Sequence, residues 1–185
     1  MACQISAGRI EPCKDSIGGL DAIYIMNDGD LTGFTYDATN TDAIETVTGN
    51  PYAYKYDLKG ATSTFEQTVT SSRDNGTTFW EQKLTVTLKK LSIADHKELK
   101  LLAYGNPQII VRDNNDNFFM MGLKYGADVT GGSVVTGGAM GDLSGYTLEF
   151  TAMEPLPANF FEATDEAGLV TAGVIIVKGN GQYVS

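Results

Sequence analysis

The sequence has few of the side chains that most catalytic and metal sites require. Its 185 residues include one histidine, His96, and two cysteines, Cys3 and Cys13. Two cysteines and one histidine are too few for a tetrahedral zinc site, and the chain lacks the Gly-x-Ser-x-Gly elbow of many hydrolases. We therefore expect a protein that is not an enzyme and that needs no cofactor and no metal.

Positive charge and long hydrophobic runs are also scarce. The chain has 13 Lys and Arg against 23 Asp and Glu, a formal net charge of -10 at pH 7. A field of that sign repels phosphate groups, which disfavours a nucleic-acid reader and an anionic membrane surface. No apolar run approaches the roughly 18 residues of a spanning helix, and residues 1–15 lack the apolar stretch of a secretory signal.

What the chain does contain is β-type alternation rich in threonine and glycine. Two long alternating runs, Thr62–Ser72 and Thr77–Leu91, flank Arg73-Asp74-Asn75-Gly76, and Asn-Gly favours the positive φ angles of a hairpin turn. One helix is predicted at Ile93–Ala103, with Ser92 as its cap. The pattern predicts a mainly β fold: a β-sandwich or barrel with one flanking α-helix and a long extended hairpin.

Further strands are predicted on both sides of the hairpin and the helix. They cover residues 20–26, 52–58, 107–113, 117–124, 125–135, 145–152 and 173–178. The stretch Asn27–Pro51 is predicted as a long polar connection, a kind of loop that is usually functional or ordered by a partner. It has no base and five acids: Asp28, Asp30, Asp37, Asp42 and Glu45. Residues 1–19 are predicted as an N-terminal arm and residues 20–185 as one domain.

Two motifs that suggest ligand binding fail on closer reading. Asp113, Asn115 and Asn117 occupy the first three ligand positions of a calcium loop. Phe118 then replaces the required glycine and Lys124 the bidentate glutamate, so we interpret the segment as a polar hairpin turn. The glycine cluster at 137–141 lacks the lysine of a phosphate loop.

Charge is spread unevenly along the chain. Seven bases lie between Arg73 and Arg112, whereas Asn27–Pro51 and Tyr125–Val177 contain acids and no base. One interpretation is a solvated acidic surface that keeps the protein soluble. The other is a pair of complementary faces, through which identical copies meet head to tail in rings or stacks. Composition alone leaves both open.

The segment from the helix onward carries a further pattern. The pattern begins with Leu101-Leu102-Ala103, followed by the apolar strand Pro107–Arg112, a D-N-N turn and the second strand Phe118–Gly122. After these come the run Thr136–Leu148 and the pair Glu154-Pro155. This order resembles that of tail proteins of tailed bacteriophages, and in particular the tail-tube family. The resemblance covers residues 92–157, roughly a third of the chain, and none of its positions is catalytic.

The resemblance implies a virion structural protein of the phage tail, assembled in the host cytoplasm. Identical copies would form six-membered rings that stack into a tube, with other tail or connector proteins as partners. Inner strands of neighbouring copies would close a shared β-barrel, and DNA would pass through its lumen without specific binding. A head–tail connector or tail-terminator ring is the alternative within the same setting.

Three groups of residues are candidates for these roles. The candidate lumen-facing acids are Glu81 and Glu149. The candidate inter-subunit hairpin comprises Arg73, Asn75, Gly76, Phe79 and Trp80. The candidate inter-ring loop comprises Asp28, Asp30, Asp37, Asp42 and Glu45.

Two functions of other classes stay open. A capsid-decorating or carbohydrate-binding β-sandwich module would need an exposed aromatic platform, for which Tyr52, Tyr54 and Tyr56 are the candidates. A glycoside hydrolase would need two carboxylates at catalytic separation, for which Glu149 and Glu154 are the first candidates.

Overall fold

The computed structural model describes residues 7–60, 62–179 and 181–184. The protein is mainly β, with 48% strand and 9% helix, which confirms the predicted class of a β-sandwich or barrel. The strands are β1 (Leu20–Met26), β2 (Leu31–Tyr36), β3 (Ala43–Gly49), β4 (Tyr52–Asp57), β5 (Thr64–Ser72), β6 (Thr77–Lys89), β7 (Gln108–Asp113), β8 (Phe118–Met121), β9 (Asp128–Val135), β10 (Gly145–Glu154), β11 (Asn159–Phe161), β12 (Ile175–Val177) and β13 (Tyr183–Val184). The helices are α1 (Ile93–Leu102) and α2 (Glu166–Thr171).

The strands form two sheets. Nine of them build a curled sheet in the order β13-β12-β4-β1-β7-β8-β11-β3-β2. The other four build a smaller sheet in the order β5-β6-β10-β9, in which every neighbouring pair is antiparallel. The small sheet contains the long hairpin and packs one of its faces against the large sheet.

Strand β1 serves two hydrophobic cores, because successive side chains point to opposite faces of a sheet. Ile23 and Ile25 pack between the two sheets with Leu84 and Phe150. Tyr24 points the other way, into a core that the curled sheet encloses around α2. Burial on both faces explains why β1 has an almost continuous hydrophobic sequence, whereas β6 and β10 alternate.

The strongest local predictions are confirmed. Strands β5 and β6 pair from Thr64 opposite Thr85 to Ser72 opposite Thr77, as one long hairpin. Helix α1 begins after Ser92, whose Oγ accepts the backbone N–H of Asp95 at 3.0 Å.

The stretch Asn27–Pro51 is not the irregular connection that the sequence predicted. It folds as the hairpin β2–β3, with Phe34 opposite Val47 and register shifts at two points. The Asp37 carboxylate holds its turn by accepting the backbone N–H groups of Thr39 and Asn40, at 3.1 and 2.6 Å. Frequent Asp, Asn, Gly and Thr obscure the short alternation in the sequence, and the two irregularities interrupt it further.

The prediction of a single flanking helix is wrong, because α2 is a second one. Its cap is Asp165, whose Oδ1 accepts the backbone N–H of Gly168 at 2.7 Å. The helix has only six residues, too few to show helical periodicity, and it contains a glycine. Its place in the fold depends on Leu169, which is fully buried in the core of the curled sheet.

The N-terminal arm leaves the domain at the start of β1. Residues 7–16 are exposed, and the Asn115 side chain anchors Ile17 by accepting its N–H and donating to its C=O, each at 2.8 Å. Cys13 is an exposed free cysteine, whereas Cys3 lies outside the described residues. Among the helices of the described ranges, none is long and apolar enough to cross a membrane.

Candidate assembly surface

The small sheet has one face without a core. Its inner face packs buried Leu84, Val86 and Phe150 against the large sheet. We call the opposite face the threonine face. It carries exposed or half-buried polar side chains on all four strands: Thr64, Glu66, Thr68 and Thr70 on β5, Glu81, Lys83, Thr85, Thr87 and Lys89 on β6, Thr147, Glu149 and Thr151 on β10, and Asp128 and Thr130 on β9. The hydrophobic core of the domain lies on the other side of the sheet, so this face is left without a packing partner.

The structure places both candidate lumen acids on the threonine face. Glu81 lies opposite Thr68 of β5, and Glu149 lies opposite Thr85 of β6. Lys83 lies between them, with its Nζ 3.5 Å from Glu149 Oε2. Because both partners of this ion pair are largely exposed, it contributes little to stability. No salt bridge involves Glu81 in the described part of the chain, so its charge faces solvent uncompensated.

Both edges of the small sheet are unpaired within the described chain, since β5 and β9 each have one neighbour. Val69 on β5 is 49% exposed, and Val134 on β9 is 57% exposed. Both side chains point to the core side of the sheet, because Val69 pairs with Trp80 and Val134 pairs with Tyr146, which lie on that side. A free edge with an exposed β-branched side chain is a template for pairing with another chain.

The tip of the long hairpin projects past its neighbour β10. The last pair between β6 and β10 joins Trp80 to Glu154, so three residues of β6, about 10 Å of strand, pair with β5 alone. Phe79 and Trp80 are half-buried and lie on opposite faces of the sheet. The turn has four residues, in which Gly76 has a φ of 63° whereas Asn75 keeps a negative φ, so the expected Asn-Gly turn with two positive angles does not form.

The five acids of the candidate inter-ring loop fall on and around the β2–β3 hairpin. Asp28, Asp42 and Glu45 are exposed, whereas Asp30 and Asp37 are partly buried. Asp30 Oδ2 accepts a hydrogen bond from Asn27 Nδ2 at 3.3 Å. Part of this acidic group therefore stabilises local turns, and the rest is free to meet another surface.

Three buried polar side chains, two of which the sequence did not single out, hold the turn between β8 and β9. Gln82 Oε1 accepts the N–H of Gly122 at 3.1 Å, and Gln108 Nε2 donates to the C=O of Leu123 at 3.0 Å. Glu154 Oε1 accepts the N–H groups of Lys124 and Tyr125 at 2.9 and 2.8 Å. Glu154 is thus a backbone-binding residue on the inner face, whereas Glu149 lies on the outer face, so the two do not form a glycosidase pair.

Replacing Glu154 should destabilise the fold without changing the threonine face. We expect Glu154→Ala to cost about 3 kcal/mol, because two part-buried N–H groups lose a charged acceptor that is itself buried. Glu154→Gln retains an oxygen at the same position and should cost about 1 kcal/mol. Urea unfolding measures both, with the exposed Glu149→Ala as control. Equal losses for the alanine and glutamine variants would contradict this role.

A second charged cluster fastens α2 to the large sheet. Glu166 accepts hydrogen bonds from Lys55 Nζ at 2.6 Å, Lys178 Nζ at 3.1 Å and Tyr24 Oη at 3.1 Å. Burial by itself would raise the pKa of Glu166, but the hydrogen bonds and charges of the two lysines outweigh it and lower that pKa to about 2. Burial, together with the charge of Glu166, raises the pKa of Tyr24 well above its ordinary value.

This cluster predicts a specific acid dependence of stability. The pKa of Glu166 is about 2 in the folded protein against an ordinary 4.5, so its contribution is complete above pH 4.5 and disappears as the pH falls towards 2. Glu166→Gln should therefore lose about 2 kcal/mol at neutral pH, with the difference from wild type closing in that window.

Chemical denaturation at several pH values between 2 and 7 tests this dependence. The exposed Glu162→Gln is the matched control and should stay within 0.5 kcal/mol or so of wild type throughout. A gap between Glu166→Gln and wild type that stays constant at all pH values would show that the carboxylate charge does not stabilise the fold.

The remaining reactive or ligating groups are scattered. His96 is exposed on α1, with its ring centroid 6.2 Å from that of Tyr146. Asp113 accepts backbone N–H groups of Asn115 and Asn117 within its own turn, which is the polar hairpin turn that the sequence predicted. Within residues 7–60, 62–179 and 181–184, no group of three His, Cys, Asp or Glu side chains could hold a metal ion.

The aromatic side chains of β4 form a partial platform. Tyr52 and Tyr54 are 37% and 43% exposed, and Tyr56 is half-buried. Tyr52 packs edge-on against Tyr183, with ring centroids 6.2 Å apart. Because two exposed aromatic rings lie next to each other, a carbohydrate-binding module stays among the alternatives.

Comparison with known proteins assigns no family to this chain. No protein-family model, curated protein or solved structure matches the chain.

Proposed function

We propose that this chain is the subunit of a phage tail tube, a virion structural protein whose copies assemble in the host cytoplasm into stacked rings around a DNA-conducting lumen. The observation that carries the proposal is the small sheet, which has two edges without a partner among the described residues and a polar face without a core. Pairing β5 of one copy with β9 of the next would remove both edges and extend the sheet into a ring.

The dimensions of such a ring suit a duplex. Six copies with four strands each, spaced about 4.8 Å apart and tilted by about 40°, give a barrel roughly 45–50 Å across between backbones. Side chains of the threonine face would project into this space and narrow it. The remaining channel would be wider than a DNA duplex, so DNA could pass through it without touching the wall along its whole length.

The chemistry of the threonine face supports the same role. Hydroxyl groups and four acids (Glu66, Glu81, Asp128 and Glu149) outnumber the two lysines of this face, Lys83 and Lys89. A mildly negative wall repels phosphates and offers few cationic groups that would bind them. DNA could then slide through without being held.

Negative-stain electron microscopy of the purified protein, over a range of concentrations and with sedimentation analysis, tests the proposal. Long tubes with an open channel are the expected result. Isolated rings that never stack would favour a head–tail connector or terminator. A monomer at every concentration that binds glycans through Tyr52 and Tyr54 would contradict assembly and favour a carbohydrate-binding module.

A further inference from the structure

A groove of about 640 Å³ separates α1 from the large sheet. That volume lies within the range of roughly 300–1,000 Å³ that is typical of small-molecule sites. Ile25 and Pro107 line the groove from the sheet side, and Leu101 and Leu102 line it from the helix. The helix leaves this space open because it is lightly packed, with Leu99 as its only buried residue. The proposed assembly through the small sheet makes no use of the groove.

Acidic side chains outnumber basic ones in this groove. Its two lysines, Lys55 and Lys178, are engaged by Glu166 at 2.6 and 3.1 Å. Four carboxylates line the groove: Asp28, Asp57, Asp95 and Glu98. Asp57 lies 3.0 Å from Lys55, whereas the other three form no salt bridge within the described residues. The groove therefore has uncompensated negative charge, which favours a cationic occupant.

The carboxylates lie towards both ends of the groove, with apolar side chains between them. Asp57 pairs with Ala22 near the start of β1, and Asp95 lies beside it, since both also line a smaller neighbouring cavity. Asp28 follows the other end of β1, roughly 17–20 Å of strand away. Ile25 lies between these ends. This order suits a long aliphatic molecule that carries positive charge at both ends.

Two aromatic rings complete the lining. Tyr54 and Tyr56 both face the groove, and Tyr54 is 43% exposed. Burial raises the pKa of Tyr56, and the charges of Glu98 and Asp95 raise it further, because both carboxylates lie near this side chain. The face of a tyrosine ring attracts a cation within about 6 Å of its centroid. Rings and carboxylates thus favour the same kind of ligand.

We infer that this groove binds a linear aliphatic polyamine. Its methylene chain packs against Ile25 and Leu101, and its ammonium groups pair with the carboxylates towards the two ends. A bare metal ion would make no use of the apolar lining. A basic peptide would gain no backbone pairing, because β1 and β4 already have a neighbouring strand on each side. The inferred binding belongs to a single copy and does not depend on the proposed assembly.

Isothermal titration calorimetry with spermine at physiological salt tests the inference. We expect one site per chain, with an affinity at least tenfold higher than that for n-butylamine, which has a single charge and a short chain. Tetraethylene glycol, a flexible chain without charge, should not bind, and an equal concentration of magnesium chloride should not displace spermine. Displacement by magnesium, or equal affinity for n-butylamine, would overturn the inference, because the site would then recognise charge alone.

A matched pair of substitutions on α1 places the site in the groove. Leu101→Arg introduces a cation into the groove and should weaken spermine binding at least tenfold. Ile93→Arg makes the same change of charge on the same helix, at a 94% exposed position outside the groove, and should change the affinity less than about twofold. Because both positions are exposed, urea unfolding should show two folded variants. Equal losses of affinity would show that spermine binds elsewhere on the acidic surface.

Removing a single charge gives a second comparison. Glu98→Gln should weaken spermine binding about fivefold, whereas Glu162→Gln, an equal change at an exposed position outside the groove, should leave it unchanged. Equal effects of the two variants would contradict a specific role of the groove. Tri-lysine that binds more tightly than spermine would assign the groove to a basic peptide and overturn the inference of a small polyamine.

Discussion

Val134→Lys should abolish ring formation while leaving the monomer folded. Val134 is 57% exposed on the free edge of β9, so a lysine there costs the monomer less than about 0.5 kcal/mol. In the proposed ring the same position lies between β9 and β5 of the next copy, where a charge would be buried without a partner. Sedimentation should show a loss of polymer of at least a hundredfold, and urea unfolding an unchanged midpoint.

A matched substitution distinguishes edge pairing from a general effect of the site. Val134→Thr keeps the β-branched shape and introduces no charge, so it should assemble nearly as well as wild type. Val69→Lys on the opposite edge should reproduce the effect of Val134→Lys, because each contact needs both edges. Normal tubes from both lysine variants would exclude a β5–β9 contact between copies.

Glu81→Lys should convert the proposed channel from one that DNA traverses into one that binds DNA. Glu81 has no salt bridge within the described residues, so six copies per ring would exchange about six free negative charges for six positive ones. Phosphate groups would then bind the wall, and the binding would weaken steeply as salt rises. Assembled Glu81→Lys particles should eject their genome poorly, and polymerised tubes should retain duplex DNA at low salt.

Two comparisons make this prediction specific. Glu149→Lys should have a smaller effect, because the Glu149 carboxylate is already 3.5 Å from Lys83 Nζ and contributes less free charge. Glu162→Lys, exposed but off the threonine face, should leave DNA passage normal. Unimpaired ejection by assembled Glu81→Lys particles would remove Glu81 from the lumen.

Sequence reasoning succeeded where local patterns are strong and long. The Ser92 cap and the turn at Asp113 depend on residues within four positions of one another, and the hairpin of β5 and β6 joins two runs that are adjacent in the sequence. It failed where an element is short or irregular. The six residues of α2 and the shifted pairs of β2 and β3 carry too little periodicity to be recognised.

The candidate site divides in the same way. Alternation alone put Glu81 on the polar side of β6 and Glu149 on the polar side of β10, and the pairing of these strands through Thr85 brought the two sides into one face. No local pattern indicated that Gln82 and Gln108 would share a turn with Glu154, because those contacts join residues 15 to 40 positions apart.

By itself the sequence determined that this protein is mainly β, acidic, and built around a long threonine-rich hairpin, since composition and a two-residue period are local properties. Only the tertiary structure decided that β5 and β9 have free edges and that α1 stands over a groove. Those features follow from which strands pair and which side chains are left without partners, and both depend on the packing of the whole chain.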